Sequence, residues 1–415
     1  MESSASMKKS IFREYDIRGV VDRDLTPEVV RDIGQAVGSL AAERGEISVA
    51  VGRDGRLSSP RLCDALKAGI RAAGLDVIDL GAVSTPLLYY ATHTLSDTCA
   101  GVMVTGSHNP PDYNGLKIVI DKIALHGAVI RDLRRRIEIG DLHQGHGSER
   151  SVSIRIDYIR QISAALPLPR SLKVVVDCGN AIASRTAPPL LRDLGCEVVE
   201  LYCEVDGRFP NHHPDPSIPE NLADLQAAVV EHQADIGLAF DGDADRLGVV
   251  TNTGEIIWPD RILMPLAEEV LARQPGAAVV YDIKCSRHLT RLIERLGGQP
   301  ILWKTGHSLI KAKMRETGAL LGGEMTGHLV HADDWFGFDD AFYAAARLLR
   351  LLAQQTRSSQ EFFAAYPTGL ITPELRVDMA EGEPFAFMER LAAQADFGPD
   401  ARIITLDGLR VEFPD

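Results

Sequence analysis

The chain has 415 residues, which at roughly 150 residues per domain predicts three or four domains. Apolar residues make up 45% and charged residues 25%; this excludes a wholly disordered chain, a collagen-like repeat and a small disulfide scaffold. The 44 Lys and Arg against 58 Asp and Glu leave a formal charge of −14. Such a field repels nucleic acid and anionic membrane, so an anionic substrate needs a local basic pocket.

The six cysteines, Cys63, Cys99, Cys178, Cys196, Cys203 and Cys285, form no C-x-x-C pair and read as reduced thiols of a cytoplasmic protein. No apolar run reaches the ~18 residues of a membrane span. The start, MESSASMKKS, lacks the apolar stretch of a signal peptide.

The first motif in chain order runs from Phe12 to Gly19, with Tyr15 between Arg13 and Arg18. Two arginines near a tyrosine suit bidentate phosphate binding, and surface ion pairs suit the same residues. Residues 47–54 then read as a buried strand ending at Asp54. A helical stretch follows and stops at Gly74, and DVIDL reads as a second strand. The same pattern recurs twice. KVVVD ends at Asp177, its helix at Gly195, and CEVVEL follows; AAVVYD ends at Asp282, its helix at Gly297, and PILWK follows. Glycine suits a left-handed helix C-terminus, and strand–helix–strand units of this length build parallel sheets with ligands at the strand C-terminal ends. Three α/β units of related design are predicted.

Within the first unit, strand AGVMV leads into Thr105-Gly106-Ser107-His108-Asn109-Pro110. A hydroxyl at a strand end beside a histidine is a nucleophile candidate; a Ser-capped turn is the plainer reading. Lys117, just downstream, brings a cation to the same loop, as a base or as a phosphate partner. Residues 141–151 are polar and Gly-rich and read as a linker; residues 211–221, with three prolines, read as an irregular loop.

Asp241-Gly242-Asp243-Ala244-Asp245-Arg246 lies between two apolar runs. Three carboxylates at alternate positions of an extended segment face one way. Their repulsion calls for a cation, and oxygen ligands favour Mg²⁺ or Ca²⁺. An EF-hand is excluded, because Arg246 stands at the sixth position and Asn252 at the twelfth. In the third unit, Glu324, Thr326 and His328 alternate along a glycine-rich stretch in a way that suits adjacent sugar hydroxyls. Lys284 and His307 follow apolar strands. Beyond Gly369, ELRVDM reads as a strand, PFAFMERLAAQA as a helix, and Asp407-Gly408 as a hairpin turn.

Together, T-G-S-H-N-P, D-G-D-x-D-R and G-E-x-[ST]-G-H in this order resemble the α-D-phosphohexomutase superfamily. FREYDIRGV, SHNPPDYNGLKIV, KTGHSLIK and GEMTGH resemble its bacterial phosphomannomutase/phosphoglucomutase branch. The resemblance implies three related α/β domains with mixed sheets, at 1–150, 151–254 and 255–367. It also implies a fourth, α+β domain like the TATA-box-binding protein at 368–415. It implies Ser107 as the phosphoserine, and Mg²⁺ held by that phosphate with Asp241, Asp243 and Asp245. Lys117, with His108, is implied as the acid/base group, and Arg246 as the residue steadying the phosphoryl group. Glu324, Thr326 and His328 are implied to read the sugar, with Tyr15, Arg18, Lys284 and His307 as further ligand contacts. The implied reaction interconverts hexose 1- and 6-phosphates of mannose and glucose in a cytoplasmic monomer. Glucose 1,6-bisphosphate is the implied intermediate and activator.

Three departures from the family pattern are visible. Ala244 stands where relatives often have Gly, a position costly for Ala if its φ is positive. Thr326 stands in place of the commoner Ser. The family's R-x-S-N-T phosphate-binding loop belongs beyond VEFPD, where this sequence stops, so the fourth domain is expected to be incomplete. Phosphoglucosamine mutase, a catalytically impaired phosphosugar-binding protein and a Ser-based phosphatase are the competing readings.

Overall fold

A computed structural model describes residues 8–369, the single positions 375, 377 and 379, and residues 383–414. Three mixed sheets carry the molecule. In the first, the strand order is Ile17–Val20, Tyr113–Ile120, Gly101–Val104, Ser48–Arg53, Asp76–Ala82, Glu149–Ser151. Ser48–Arg53 runs parallel to both its neighbours, and Tyr113–Ile120 is antiparallel to both of its own. The second runs Ile256–Ile257, Leu247–Thr251, Ile236–Phe240, Lys173–Asp177, Glu197–Leu201; the third runs Gln299–Trp303, Ala278–Asp282, Leu321–Gly323, Leu329–His331.

The three strand–helix–strand repeats fold as read. Ser48–Arg53, Lys173–Asp177 and Ala278–Asp282 each pair in parallel with the strand that follows the intervening helix. Gly74, Gly195 and Gly297 close those helical segments with φ of 94°, 87° and 76°.

Alternation along each central strand explains why these strands read as unbroken apolar runs. Val49 and Val51 join the core that includes Ile33 and Leu66, while Ala50 faces the opposite core. That opposite core also takes Val174 and Val176 from the second sheet and Val279 and Tyr281 from the third. Each sheet is buried on both faces and gives one face to a single shared core, as parallel-type sheets require. The C-terminal ends of the central strands are thereby fixed toward one another.

Part of the expected linker is built into the first sheet. Glu149–Ser151 pairs with Asp76–Ala82, and the Gly145 and Gly147 N–H groups donate to the Ala72 and Arg71 carbonyls at 2.8 and 2.9 Å. Glycine lets the chain lie this close to the preceding helix end: a Cβ on Gly147 would sit 1.7 Å from the Leu75 carbonyl oxygen.

All six cysteines are free; Cys99 and Cys203 are half-buried and the other four are buried. In the last segment, helix Glu383–Gln394 and the antiparallel pair Arg402–Ile404 and Arg410–Glu412 match the helix and hairpin readings. The expected strand ELRVDM lies outside the described residues, apart from three single positions. The hairpin docks on the third unit. Arg410 Nη1 donates to the Ile283 and Cys285 carbonyls at 2.6 and 2.7 Å, and Asp407 accepts from the Thr305 N–H at 2.9 Å.

Candidate active site

Ser107 lies in the loop after strand Gly101–Val104, buried, with φ of 47°. Holding a serine in the left-handed region costs of order 1–3 kcal/mol, and a buried Asp54–Arg56 pair supports it. Asp54 Oδ2 accepts from Thr105 Oγ1 at 2.8 Å and from the Gly106 N–H at 3.2 Å. Thr105 Oγ1 accepts from the Ser107 N–H at 2.9 Å. Arg56 Nη2 donates to the Ser107 and Asn109 carbonyls at 2.7 and 2.6 Å. Its Nη1 donates to Pro110 and Tyr113 at 2.6 and 3.1 Å. One planar guanidinium therefore ties down four carbonyls of the loop.

Asp241, Asp243 and Asp245 are wholly buried, with carboxylate oxygens of all three within 4.8 Å of one another. The sequence pattern suggested convergence on an extended segment. Here the chain instead turns. The Ala244 N–H donates to the Asp241 carbonyl at 3.1 Å, and Ala244 has φ of 62°. The left-handed conformation that makes Ala244 a costly residue is therefore present. Asp241 Oδ1 accepts from the Asp245 and Arg246 N–H groups at 3.0 and 3.1 Å, a brace across the turn.

The two loops meet at Ser107, whose Oγ donates to Asp241 Oδ2 at 2.8 Å with His108 Nδ1 3.2 Å away. Gly242 permits this approach, because a Cβ there would lie 2.0 Å from the Ser107 carbonyl oxygen. Lys117 Nζ reaches Asp243 Oδ2 at 2.6 Å and Asp245 Oδ2 at 2.5 Å. Thr85 Oγ1 also donates to Asp243 Oδ2, at 2.5 Å.

The electrostatics follow from burial and these contacts. Burial opposes the Lys117 charge, but Asp243 and Asp245 outweigh it and hold the ammonium well above the usual lysine range. Burial and the two neighbouring carboxylates push Asp241 up. Burial would raise Asp245 too, yet Lys117 and His328 hold it well below the usual range. Burial, with Arg246 and Arg18 nearby, keeps the His108 imidazole neutral.

The glycine-rich stretch joins this cluster from the third unit. His328 Nε2 faces Asp245 Oδ1 at 3.2 Å, and its Nδ1 faces Glu324 Oε2 at 2.8 Å and Thr326 Oγ1 at 3.1 Å. Burial disfavours an imidazolium there, but the two carboxylates prevail and push His328 up to about 9. Glu324 accepts from the Gly306 N–H, and His307 stacks on His328 with ring centroids 5.1 Å apart. Tyr15 closes the group: its hydroxyl donates to the Thr305 carbonyl at 3.0 Å, and its ring lies where a Cβ on Gly306 would be, 2.7 Å away. Arg246 pairs along the backbone with His328, and Arg18 donates to Asp16 at 2.5 Å. Lys284 is exposed on the loop that binds the docked hairpin.

The sequence reading missed Arg56, Thr85 and Asp339. Asp339 is buried against Lys311, with His307 Nδ1 at 3.4 Å. Arg56 follows a strand-ending aspartate by two residues and Thr85 precedes a proline at a helix start. These are positional signals that no periodicity reveals.

The donors that Ser107, Asp241, Asp243 and Asp245 offer a metal are carboxylate oxygens and the serine hydroxyl, and Asp243 Oδ1 is buried without a hydrogen-bond partner among the described residues. That set fits a hard divalent cation.

Family models for the phosphoglucomutase/phosphomannomutase α/β/α domains I, II and III match residues 9–142, 156–254 and 258–368. A phosphomannomutase/phosphoglucomutase of Pseudomonas aeruginosa is 54% identical over 99% of this chain and 88% of its own length. A phosphoglucomutase of Neisseria gonorrhoeae is 48% identical over 99% and 90%. The crystal structure of a phosphoglucomutase/phosphomannomutase family protein from Burkholderia thailandensis superposes with a TM-score of 0.94 at 48% identity, covering 99% of this chain and 89% of that one.

Proposed function

The chain belongs to the phosphoglucomutase/phosphomannomutase family, as a hexose-phosphate mutase and intramolecular phosphotransferase, and from that premise we propose how its residues divide the work. The substrates are the 1- and 6-phosphates of glucose and mannose, and Ser107 carries the phosphate that is exchanged. The observation behind this reading is the contact between loops of two units: the buried Ser107 hydroxyl lies on Asp241, inside a three-carboxylate cluster.

A free sugar hydroxyl attacks the phosphorus on Ser107 Oγ. The new P–O bond forms as the bond to Oγ breaks, and the hydroxyl proton passes to the serine side through His108 or Lys117. The hexose bisphosphate turns over in the cleft, and its other phosphate returns to Ser107, so phosphate is conserved and the reaction is reversible. Glucose 1,6-bisphosphate would charge an unphosphorylated enzyme by the reverse of the first step.

His108 Nδ1 lies 3.2 Å from Oγ, within reach of the proton that moves there, while burial with Arg246 and Arg18 disfavours its imidazolium, so any proton it takes passes on at once. Lys117 is charged and takes the donor side, although Asp243 and Asp245 hold its proton firmly. Arg246 steadies charge on the phosphoryl oxygens. Glu324, Thr326 and His328 read the sugar hydroxyls, while Tyr15, Arg18, Lys284 and His307 contact the remainder of the ligand. Asp241, Asp243 and Asp245, with the Ser107 phosphate, would hold Mg²⁺, which when bound draws off charge developing on the phosphoryl group.

Three related sheets support a domain division at 1–150, 151–254 and 255–367, with 368–415 contributing to the fourth. The site is assembled from one chain's own loops, which supports a monomer. Six free cysteines support the cytoplasm. No helix among the described residues is long and apolar enough to cross a membrane.

A coupled assay for glucose 6-phosphate formed from glucose 1-phosphate, with Mg²⁺ and a trace of glucose 1,6-bisphosphate, tests the reading. Turnover is expected, and Ser107→Ala should reduce it by a factor of at least about 10³. Full activity in that variant would refute Ser107 as the phosphate carrier.

A further inference from the structure

A second cavity lies between the first and third units, away from Ser107, with a volume of about 450 Å³. That is large enough for a small organic molecule. Its body is apolar and aromatic, formed by Tyr89, Val119, Met314, Phe336 and Phe338. Its mouth is not apolar. Lys122 projects from the turn after strand Tyr113–Ile120, and Arg315 from helix His307–Thr317. Both are exposed, and neither has a carboxylate within ion-pair distance among the described residues. Asp121 is the one acidic group on the same lining. The other basic side chains there are already committed. Lys311 is ion-paired with Asp339 and lies over the Tyr89 ring, 4.4 Å from its centroid. His93 Nδ1 bonds the Tyr89 carbonyl at 2.8 Å, and burial pushes its imidazole toward the neutral form.

On a chain of net charge −14, two uncommitted cations over an apolar pocket describe a ligand: a flat apolar body bearing one anionic group. We propose that this cavity binds small amphipathic monoanions, an aromatic carboxylate or sulfonate by chemistry, at a site separate from the phosphosugar cleft. Its two walls connect to that cleft. The strand that leads into the Lys122 turn carries Lys117, and the helix that carries Arg315 begins at His307. An anion held by both cations ties the first unit to the third, and its binding energy opposes any turnover step that needs the two to separate.

The probe is 1-anilinonaphthalene-8-sulfonate, titrated into the intact chain by fluorescence. One saturable site per chain is expected. Lys122→Gln combined with Arg315→Gln, both on the surface and outside the catalytic cluster, should weaken it at least about tenfold, two charged contacts being worth roughly that or more. Glucose 1-phosphate should not displace the dye, and mutase turnover at saturating sugar phosphate should fall as the dye site fills. Absence of saturable binding, an affinity unchanged in the double variant, or displacement by glucose 1-phosphate would overturn the site. Undiminished turnover at full dye occupancy would overturn the coupling.

Discussion

Arg56 shows how much one side chain can hold. It is 1% exposed, ion-paired to an equally buried Asp54, and its guanidinium supplies four bonds to the loop that strains Ser107 into the left-handed region. Removing one partner of such a pair strands a buried charge and costs about 3–5 kcal/mol. Arg56→Met is therefore expected to lower the urea unfolding midpoint by that equivalent. Arg56→Lys keeps the charge but loses the fork and should recover only part. A midpoint within experimental error of the parent would show that the clamp is dispensable. His331 carries a different kind of cost. Both its ring nitrogens are buried without partners among the described residues; burial, with the Arg347 charge, pushes it down to about 3. The unfolded chain takes up this proton below about 6.5 while the native state refuses it, so stability is intact above pH 6.5 and drains as pH falls toward 3. Between pH 6.5 and 4 this amounts to roughly 3 kcal/mol at 1.36 kcal/mol per pH unit. His331→Phe should flatten the pH dependence of the unfolding free energy in that window by this amount. An unchanged slope would assign the acid sensitivity elsewhere.

Among elements, the decisive contact is between two turns. Gly242 places its Cα against the Ser107 carbonyl, where an added Cβ would lie 2.0 Å from the oxygen. Both sides are backbone, so neither can yield by a rotamer change. Gly242→Ala should push the Ser107 loop off Asp241 by around an ångström. Misplacement of that size costs of order 10²-fold in turnover, and far-UV circular dichroism should remain unchanged. Parental turnover would mean that the loops do not need this contact. Such contacts mark the boundary of what a sequence discloses. The strands ending at Asp54, Asp177 and Asp282 were legible because burial on both sheet faces writes an uninterrupted apolar run, and their helices because a left-handed residue after the last turn selects glycine. Ser107, Lys117 and the three aspartates were legible because their residue types are costly without a partner. Arg56 and Asp339 were not, since an arginine or aspartate in a loop reads as solvated until the fold buries it. Glu149–Ser151 escaped because an exposed edge strand carries no apolar signal. The convergence of Asp241, Asp243 and Asp245 was foreseen for the wrong geometric reason: the turn at Ala244 brings them together, where alternation on an extended strand had been expected.

At the scale of the whole molecule, three sheets share one core, and the loops at their strand ends pool their charges in one buried place. Asp241, Asp243, Asp245 and Glu324 stand there against Lys117, Arg246 and His328, with Asp241 itself pushed toward its neutral form. The cluster is thus close to electrically balanced by its own side chains. A divalent cation entering it meets carboxylates already engaged by Lys117, and its attraction is correspondingly reduced. Phosphate on Ser107 would change that balance by about −1.5 to −2 charges and add hard oxygen ligands beside Asp241. Mg²⁺ should therefore bind the phosphorylated protein at least about tenfold more tightly than the unphosphorylated protein, a difference of about 1.4 kcal/mol. Calorimetric titration of Mg²⁺ into the two forms measures this directly. The phosphorylated form should also show the larger rise in melting temperature with added Mg²⁺, because a ligand that prefers one native form stabilises that form more. Equal affinities would mean that the three aspartates alone set the metal site and that Lys117 yields to the ion without cost.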